Sequence, residues 1–344
     1  MDEVRTYQKD INTAASLNDL PWEKFSGKNI LVTGATGLIG GCLVDVLMSR
    51  KNIDYHVYAA GRNKRRAEQR FKFYMGSDRF DFIELDITEK LESSISFHYI
   101  IACASGANPI LYSTNPVDVI KANVLGVDNL MMYGIEHQLE KFVYISSGDV
   151  YGEGDGRKFT EDYSGYVDPM VLRSCYPSAK RASESLCVAY ASQYGVDINV
   201  VRPCHIYGPY FTESDTRAYA QFIRKAIAGE NIVLKSSGSQ FRSWCYVVDC
   251  VAAIIYITLL GSKNEAYNIA DNSSNVSIRE FAETIASVVG CGVTFELPDK
   301  VEAAGFNTVS QSIFGTEKLE SLGWKPIGEF KNNMRVIINE LMNI

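Results

Sequence analysis

The chain lacks an apolar stretch long enough to cross a bilayer; Val251 to Leu260 falls short of that length and reads as a buried helix. Positive charge is also scarce. Against 41 acidic residues stand 34 Lys and Arg, a net charge of −7 with an isoelectric point near 5.3. That balance argues against a nucleic-acid or anionic-membrane partner. The one basic run, Arg62 to Arg70, is broken by Ala67, Glu68 and Gln69 and reads as a solvated helix face. No C-x-x-C pair occurs among Cys42, Cys103, Cys175, Cys187, Cys204, Cys245, Cys250 and Cys291. Reduced thiols in a cytoplasmic protein are therefore expected, with neither a disulfide framework nor a metal site. Met1 to Leu20 has no apolar core of the secretory type, and no repeat or low-complexity linker interrupts the 344 residues. One rigid unit with a cleft is expected.

What is present starts with Thr33-Gly34-Ala35-Thr36-Gly37-Leu38-Ile39-Gly40, directly after the apolar run Asn29 to Val32. A strand, a glycine-rich turn and a helix N-terminus make a phosphate cradle. Glycines let the backbone approach a pyrophosphate, and the helix end offers unpaired N–H groups and partial positive charge. Gly34, Thr36, Gly37, Leu38, Ile39 and Gly40 are assigned to a dinucleotide cofactor on this ground. Strands are expected at Ile30–Thr33, His56–Ala60, Asp81–Leu85, His98–Ala102, Lys141–Ser146 and Asp197–Arg202. Helices are expected at Leu38–Arg50, Lys64–Met75, Pro116–Gln138 and Tyr176–Tyr194. Repeated β-α units of this length predict an α/β fold, a Rossmann-type doubly wound parallel sheet. Beyond Pro203 the rhythm loosens, with helices expected at Arg217–Gly229, Val248–Leu260, Ser277–Val289 and Glu329–Met342. The chain thus divides into an N-terminal extension (1–28), a dinucleotide-binding domain (29–203) and a smaller, mainly substrate-binding α/β portion (204–344) interleaved with it. For the extension a helix on the sheet edge is expected.

Tyr176-Pro177-Ser178-Ala179-Lys180 places a phenol and an ammonium four apart, on one helix face. A lysine beside a phenol stabilises phenolate and lowers its pKa, which suits the tyrosine to take a proton from a sugar hydroxyl. Ser146-Ser147-Gly148-Asp149-Val150-Tyr151-Gly152 closes a predicted strand at the sheet edge where the cofactor should lie, and puts a hydroxyl there.

With the glycine cradle, Ser147, Tyr176 and Lys180 in this order, the chain resembles the extended short-chain dehydrogenase/reductases, specifically the nucleotide-sugar epimerase/dehydratase/decarboxylase group. The resemblance runs from Lys28 to about Pro326. It includes Asp86-Ile87, Ala102-Cys103-Ala104-Ser105, Asn123, Arg202 to Pro209, Gly238 to Arg242, Tyr246 to Asp249 and Leu322-Gly323-Trp324. It implies Tyr176 as catalytic acid/base, Lys180 as its tuner and ribose ligand, and Ser147 as orienter of the sugar 4-hydroxyl. It further implies cofactor contacts from Asp86, Ile87, Ala102, Ala104 and Asn123, and substrate contacts from Ser105, Arg217 and Arg242. Arg242 would pair with the substrate pyrophosphate or, alternatively, make a surface ion pair. His205 stands where the family usually has a substrate-binding Asn, either donating to the sugar or filling space. Cys175 reads as small packing. In relatives the helices here at Pro116–Gln138 and Tyr176–Tyr194 build an intersubunit bundle, which implies a homodimer unless those faces are covered within the chain.

The reaction after C4 oxidation turns on the pair following Ser147. The resemblance to 4,6-dehydratases calls for Asp-Glu, but Gly148-Asp149 stands there, which disfavours dehydration. The UDP-glucuronate decarboxylases are closer, through Arg173 to Arg181, Tyr112, Asn115-Pro116 and Asp215 to Phe222. That group has a Glu at Asp149 and a cationic segment where this chain reads Ser310-Gln311-Ser312-Ile313-Phe314. Asp149 either serves as a catalytic acid/base or caps the following turn. Decarboxylation or epimerisation of a 4-ketosugar is expected; a 4,6-dehydratase, a 4-ketosugar reductase using NADPH, and a non-catalytic cofactor-binding protein are the alternatives. The cofactor implied is NAD. NADP stays open, because the second strand ends Tyr58-Ala59-Ala60-Gly61-Arg62-Asn63, without the carboxylate that binds the ribose diol and with Arg62 available to a 2′-phosphate or to adenine.

Overall fold

A computed structural model describes residues 5–213, 215–296 and 311–342. Ser310 of the segment discussed above lies outside them. After α1 (Tyr7–Ala15), the strands β1 (Lys28–Thr33), β2 (Tyr55–Gly61), β3 (Phe80–Glu84), β4 (Tyr99–Ala102), β5 (Lys141–Ile145) and β6 (Ile198–Pro203) alternate with helices. These are α2 (Leu38–Ser49), α3 (Lys64–Arg70), the short α4 (Pro109–Thr114) leading into α5 (Pro116–Glu136), and α6 (Cys175–Tyr194). The strands pair in the order β3-β2-β1-β4-β5-β6, all parallel. Their runs are continuously apolar because both faces are covered. Ile30 and Val32 of β1 join one core cluster and Leu31 the cluster on the other face. The order reverses between β1 and β4, so the crevice at their carboxyl ends is the place for a ligand.

The rest of the chain does not stay on its own side. It comprises β7 (His205–Tyr207), α7 (Ala218–Ile227), β8 (Ile232–Leu234), β9 (Phe241–Tyr246), α8 (Val247–Leu260) and β10 (Glu265–Ile269). Beyond these come β11 (Asp271–Ser277), α9 (Ile278–Val289), β12 (Val293–Phe295), β13 (Gln311–Ser312) and a last helix, Phe330–Met342. β10 pairs parallel with β6 as the seventh strand of the main sheet, while β7, β9, β11 and β13 form a second, mixed sheet. No described helix is long and apolar enough to cross a membrane.

Two expectations are corrected. α1 lies not on the sheet edge but on α2 and α8. The reason is α8, buried from Val247 to Leu259, whose outer face needs an apolar cover that Ile11, Ala14 and Ala15 supply. α3 stops at Arg70 instead of running to Met75. Phe71 and Tyr74 fold inward against Phe80, and Gly76, at φ +84°, turns the chain into β3.

Candidate active site

At the end of β1, Gly34 adopts φ +61°, and a Cβ there would lie 2.7 Å from the backbone of Ala104. A Cβ on Gly40 would meet the Gly34 carbonyl at 2.5 Å. The two positions therefore admit only glycine, and α2 settles directly on the turn. The Thr33 hydroxyl accepts from the Ala104 N–H at 3.3 Å, locking the turn to the end of β4, where Ala102 pairs with Thr33. Gly37 caps α2 without a side-chain hydrogen bond, and Leu38 and Ile39 occupy the first turn. That leaves first-turn N–H groups for an anion, so the residues present fit the pyrophosphate of a dinucleotide.

Farther along the crevice, Arg62 leaves β2 with its guanidinium 4.0 Å from Asp86. The Asp86 carboxylate accepts from the backbone and hydroxyl of Thr88, and the backbone bond leads the contacts that hold it below the usual range. Ile87 packs against Gly126 of α5, where a Cβ would stand 2.6 Å from its Cδ1. The basic run is only partly a solvated face. Arg66 turns inward to donate to the Thr36 carbonyl at 2.8 Å, and Arg70 pairs with the buried Asp45 of α2. These two cations, four apart on α3, brace the glycine turn from behind.

Tyr176 lies in the first turn of α6, buried, with its ring stacked on Tyr112 at 4.9 Å. The Ser147 and Ser105 hydroxyls lie close enough to its phenol to influence its protonation. The Ser105 hydroxyl donates to Asn123 at 3.1 Å, and Asn123 is fixed by donating to the Val119 carbonyl at 2.7 Å. One turn on, Lys180 is buried and donates to the Ile145 carbonyl at 2.7 Å, its ammonium 5.7 Å from the Tyr176 ring. Burial pushes Lys180 down to about 7, opposed by the charge of Glu184. The phenol is not lowered as the sequence suggested. Burial and the Asp149 charge push it up, and the nearby Ser147 and Ser105 hydroxyls and the Arg217 charge only moderate that. Lys180 gives one of its three donors to Ile145 and is itself desolvated.

Ser147, not Asp149, caps the turn Gly148–Tyr151, accepting from the Asp149 N–H at 3.1 Å. The Asp149 side chain is instead exposed at the surface; lost hydration raises its pKa, with Arg173 opposing. His205 on β7 has the same character. Burial, then the charges of Arg242 and Arg217, push it down to about 4, so it is neutral at neutral pH. Arg217 pairs with Asp215 and with the Tyr219 hydroxyl, and its charge reaches both Tyr176 and His205. Arg242 is buried on β9 and donates to the Phe241 carbonyl.

Sequence reasoning gave no role to Tyr112, Arg173, Arg66 or Phe314. Tyr112 and Arg173 lie in motifs already noted, but nothing in their spacing shows that one stacks on Tyr176 and the other faces Asp149. Phe314 carried no signal at all. A Cβ on Gly148 would come within 2.2 Å of its ring, so Phe314 fills the space where a dehydratase-like acid would begin.

Comparison with known proteins places these features in context. The NAD dependent epimerase/dehydratase family matches residues 30–270. UDP-glucuronic acid decarboxylase 6 of Arabidopsis thaliana is 33% identical over 302 residues, covering 88% of this chain and 85% of that protein. Among solved structures, the UDP-glucose 4-epimerase of Thermotoga maritima with UDP-glucose superposes with a TM-score of 0.79 at 23% identity, covering 92% of this chain and 98% of that one. The UDP-glucuronic acid 4-epimerase of Bacillus cereus, in complex with UDP-glucuronic acid and NAD, gives 0.76 at 22% identity over 92% and 99%.

Proposed function

The chain belongs to the NAD dependent epimerase/dehydratase family of nucleotide-sugar enzymes, and we propose that it oxidises a nucleotide-linked uronic sugar at C4 and decarboxylates it. The observation that carries this reading is the buried Tyr176, beside the Ser147 and Ser105 hydroxyls and one helical turn from Lys180, at the mouth of the dinucleotide cradle. When bound, the nicotinamide supplies the hydride acceptor for C4 and later the donor. Tyr176, acting as the phenolate that the Ser147 and Ser105 hydroxyls and the Arg217 charge favour, takes the 4-hydroxyl proton, and Ser147 holds that oxygen in line. With a ketone at C4, a carboxylate on C5 is β to it and leaves as CO₂. The electrons pass to the C4 oxygen, where the two hydroxyls donate to the developing enolate. Asp149, whose pKa lost hydration raises above the ordinary carboxylate value, returns a proton to C5. Arg173 and Arg217 supply positive charge for an anionic sugar.

Epimerisation is the second reading, favoured by the same Asp149 acting as a base instead of an acid. Dehydration fits less well, because Phe314 leaves no room for an acid at position 148. The test is incubation with UDP-, dTDP-, GDP- and CDP-sugars, UDP-glucuronate among them, without added cofactor, followed by mass spectrometry. Loss of CO₂ supports the first reading, an isobaric product the second, and loss of water refutes both. Exposed apolar residues on α5 (Val117, Ile120, Leu125) and α6 (Val188, Tyr194) support a homodimer built through these helices. Light scattering showing a monomer at micromolar concentration would reject it.

A further inference from the structure

The adenosine end of the cradle departs from what an unphosphorylated ribose asks for. An acidic residue at the close of the second strand ordinarily binds the ribose diol. Here β2 closes on Gly61, and space is not the reason. A Cβ there would find Thr36 Oγ1 at 3.8 Å and Phe82 at 3.9 Å, ordinary contacts, so the backbone does not demand glycine for want of room at the Cβ. The gap between Gly61 and Thr36 is instead flanked by guanidinium groups. Arg62 follows immediately, its side chain 79% exposed, with a single long approach to Asp86. Arg66 lies on the other side, bonded to the Thr36 carbonyl, and the Arg66 N–H is fixed by Asn63 at 2.9 Å. Lys64 and Arg65 between them are exposed. The nearby acids are Glu84, exposed on β3 beside Gly61, and Asp86, engaged by Thr88.

We propose that this gap is a 2′-phosphate site and that the chain binds NADP(H) in preference to NAD(H), with Arg62 as the principal ligand. A dianionic phosphate meets a forked, permanently charged donor at Arg62, and Gly61 presents no carboxylate to repel it. The inference rests on the cradle reading above and not on the sugar reaction.

The full chain, freed of nucleotide, is titrated with NADPH and NADH by fluorescence, and the two constants are compared. NADPH should bind tighter by roughly tenfold or more at low salt, and the gap should narrow as ionic strength rises. Arg62→Ala should remove most of the preference while leaving NADH affinity within about twofold. Gly61→Asp, with its fold checked by circular dichroism, should reverse it. Equal or tighter NADH binding, equal weakening of both by Arg62→Ala, or binding of neither would overturn the proposal. A clear NADPH preference without turnover of any nucleotide sugar would defeat only the proposed reaction, and turnover with an NADH preference only this site.

Discussion

Replacing Gly148 with alanine probes the contact that sets this chain apart from a dehydratase-like site. The added Cβ would stand 2.2 Å from Phe314 Cζ and 2.8 Å from Cε1, where carbon atoms settle at about 3.5–4.0 Å. The ring has little room to retreat. It is 2% exposed and is met by Tyr151 and Phe159 in edge contacts at 5.6 and 5.8 Å. Relief requires an off-rotamer ring or a shift of the 148–151 turn, and overpacking of this kind costs about 1–3 kcal/mol. The turn lies between Ser147 and Asp149, so a displacement approaching 1 Å should also slow turnover on the order of 10²-fold. Urea denaturation of Gly148→Ala, Phe314→Ala and the double variant separates the contributions. Phe314→Ala alone should cost about 3–5 kcal/mol, and the double variant should fall short of the sum by at least about 1 kcal/mol, because the new methyl enters the vacated space. A Gly148→Ala protein within about 0.5 kcal/mol of wild type, with additive energies, would refute the contact.

Tyr176→Phe should lower turnover by at least about 10²-fold with dinucleotide affinity kept, and a near-normal rate would remove the phenol from the mechanism. Asp149→Asn should slow product formation by about 10²–10⁴-fold while single-turnover oxidation, read at the reduced-nicotinamide absorbance band, persists; unchanged turnover would strike Asp149 out. The buried Asp249 has one oxygen bonded to the Ile327 N–H at 2.6 Å and the other without a partner among the described residues, and burial raises it to about 8. Between about pH 4 and pH 8 the folded state holds a proton that the unfolded chain releases, so this group makes stability fall as pH rises, by up to ~1.4 kcal/mol per unit. Asp249→Asn should flatten that slope in equilibrium denaturation, and parallel pH profiles of the two proteins would exclude the assignment.

Much of the scaffold was legible because its causes are local. A doubly covered strand must be continuously apolar, and a turn pressed between Ala104 and the start of α2 must be glycine at positions 34 and 40. A tyrosine and a lysine one helical turn apart must share a face. Those constraints are written in adjacent residues, and β1 to β6 and α2, α5 and α6 follow from them. The ends of elements were less legible. α3 stops at Arg70 because Phe71 and Tyr74 find partners in β3, a contact the helical pattern does not carry.

The amino-acid sequence by itself determined the β-α alternation, the dinucleotide cradle and the order Ser147, Tyr176, Lys180, since each depends on spacing along the chain. Only the tertiary structure decided what surrounds them. It set Phe314 over Gly148, Tyr112 on Tyr176, Arg66 behind Thr36 and Arg217 within reach of both Tyr176 and His205. It also buried both Lys180 and Tyr176, and burial pushes the first down and the second up. The physical reason is that burial and charge contacts are sums over neighbours brought in from distant segments, and no local spacing encodes them.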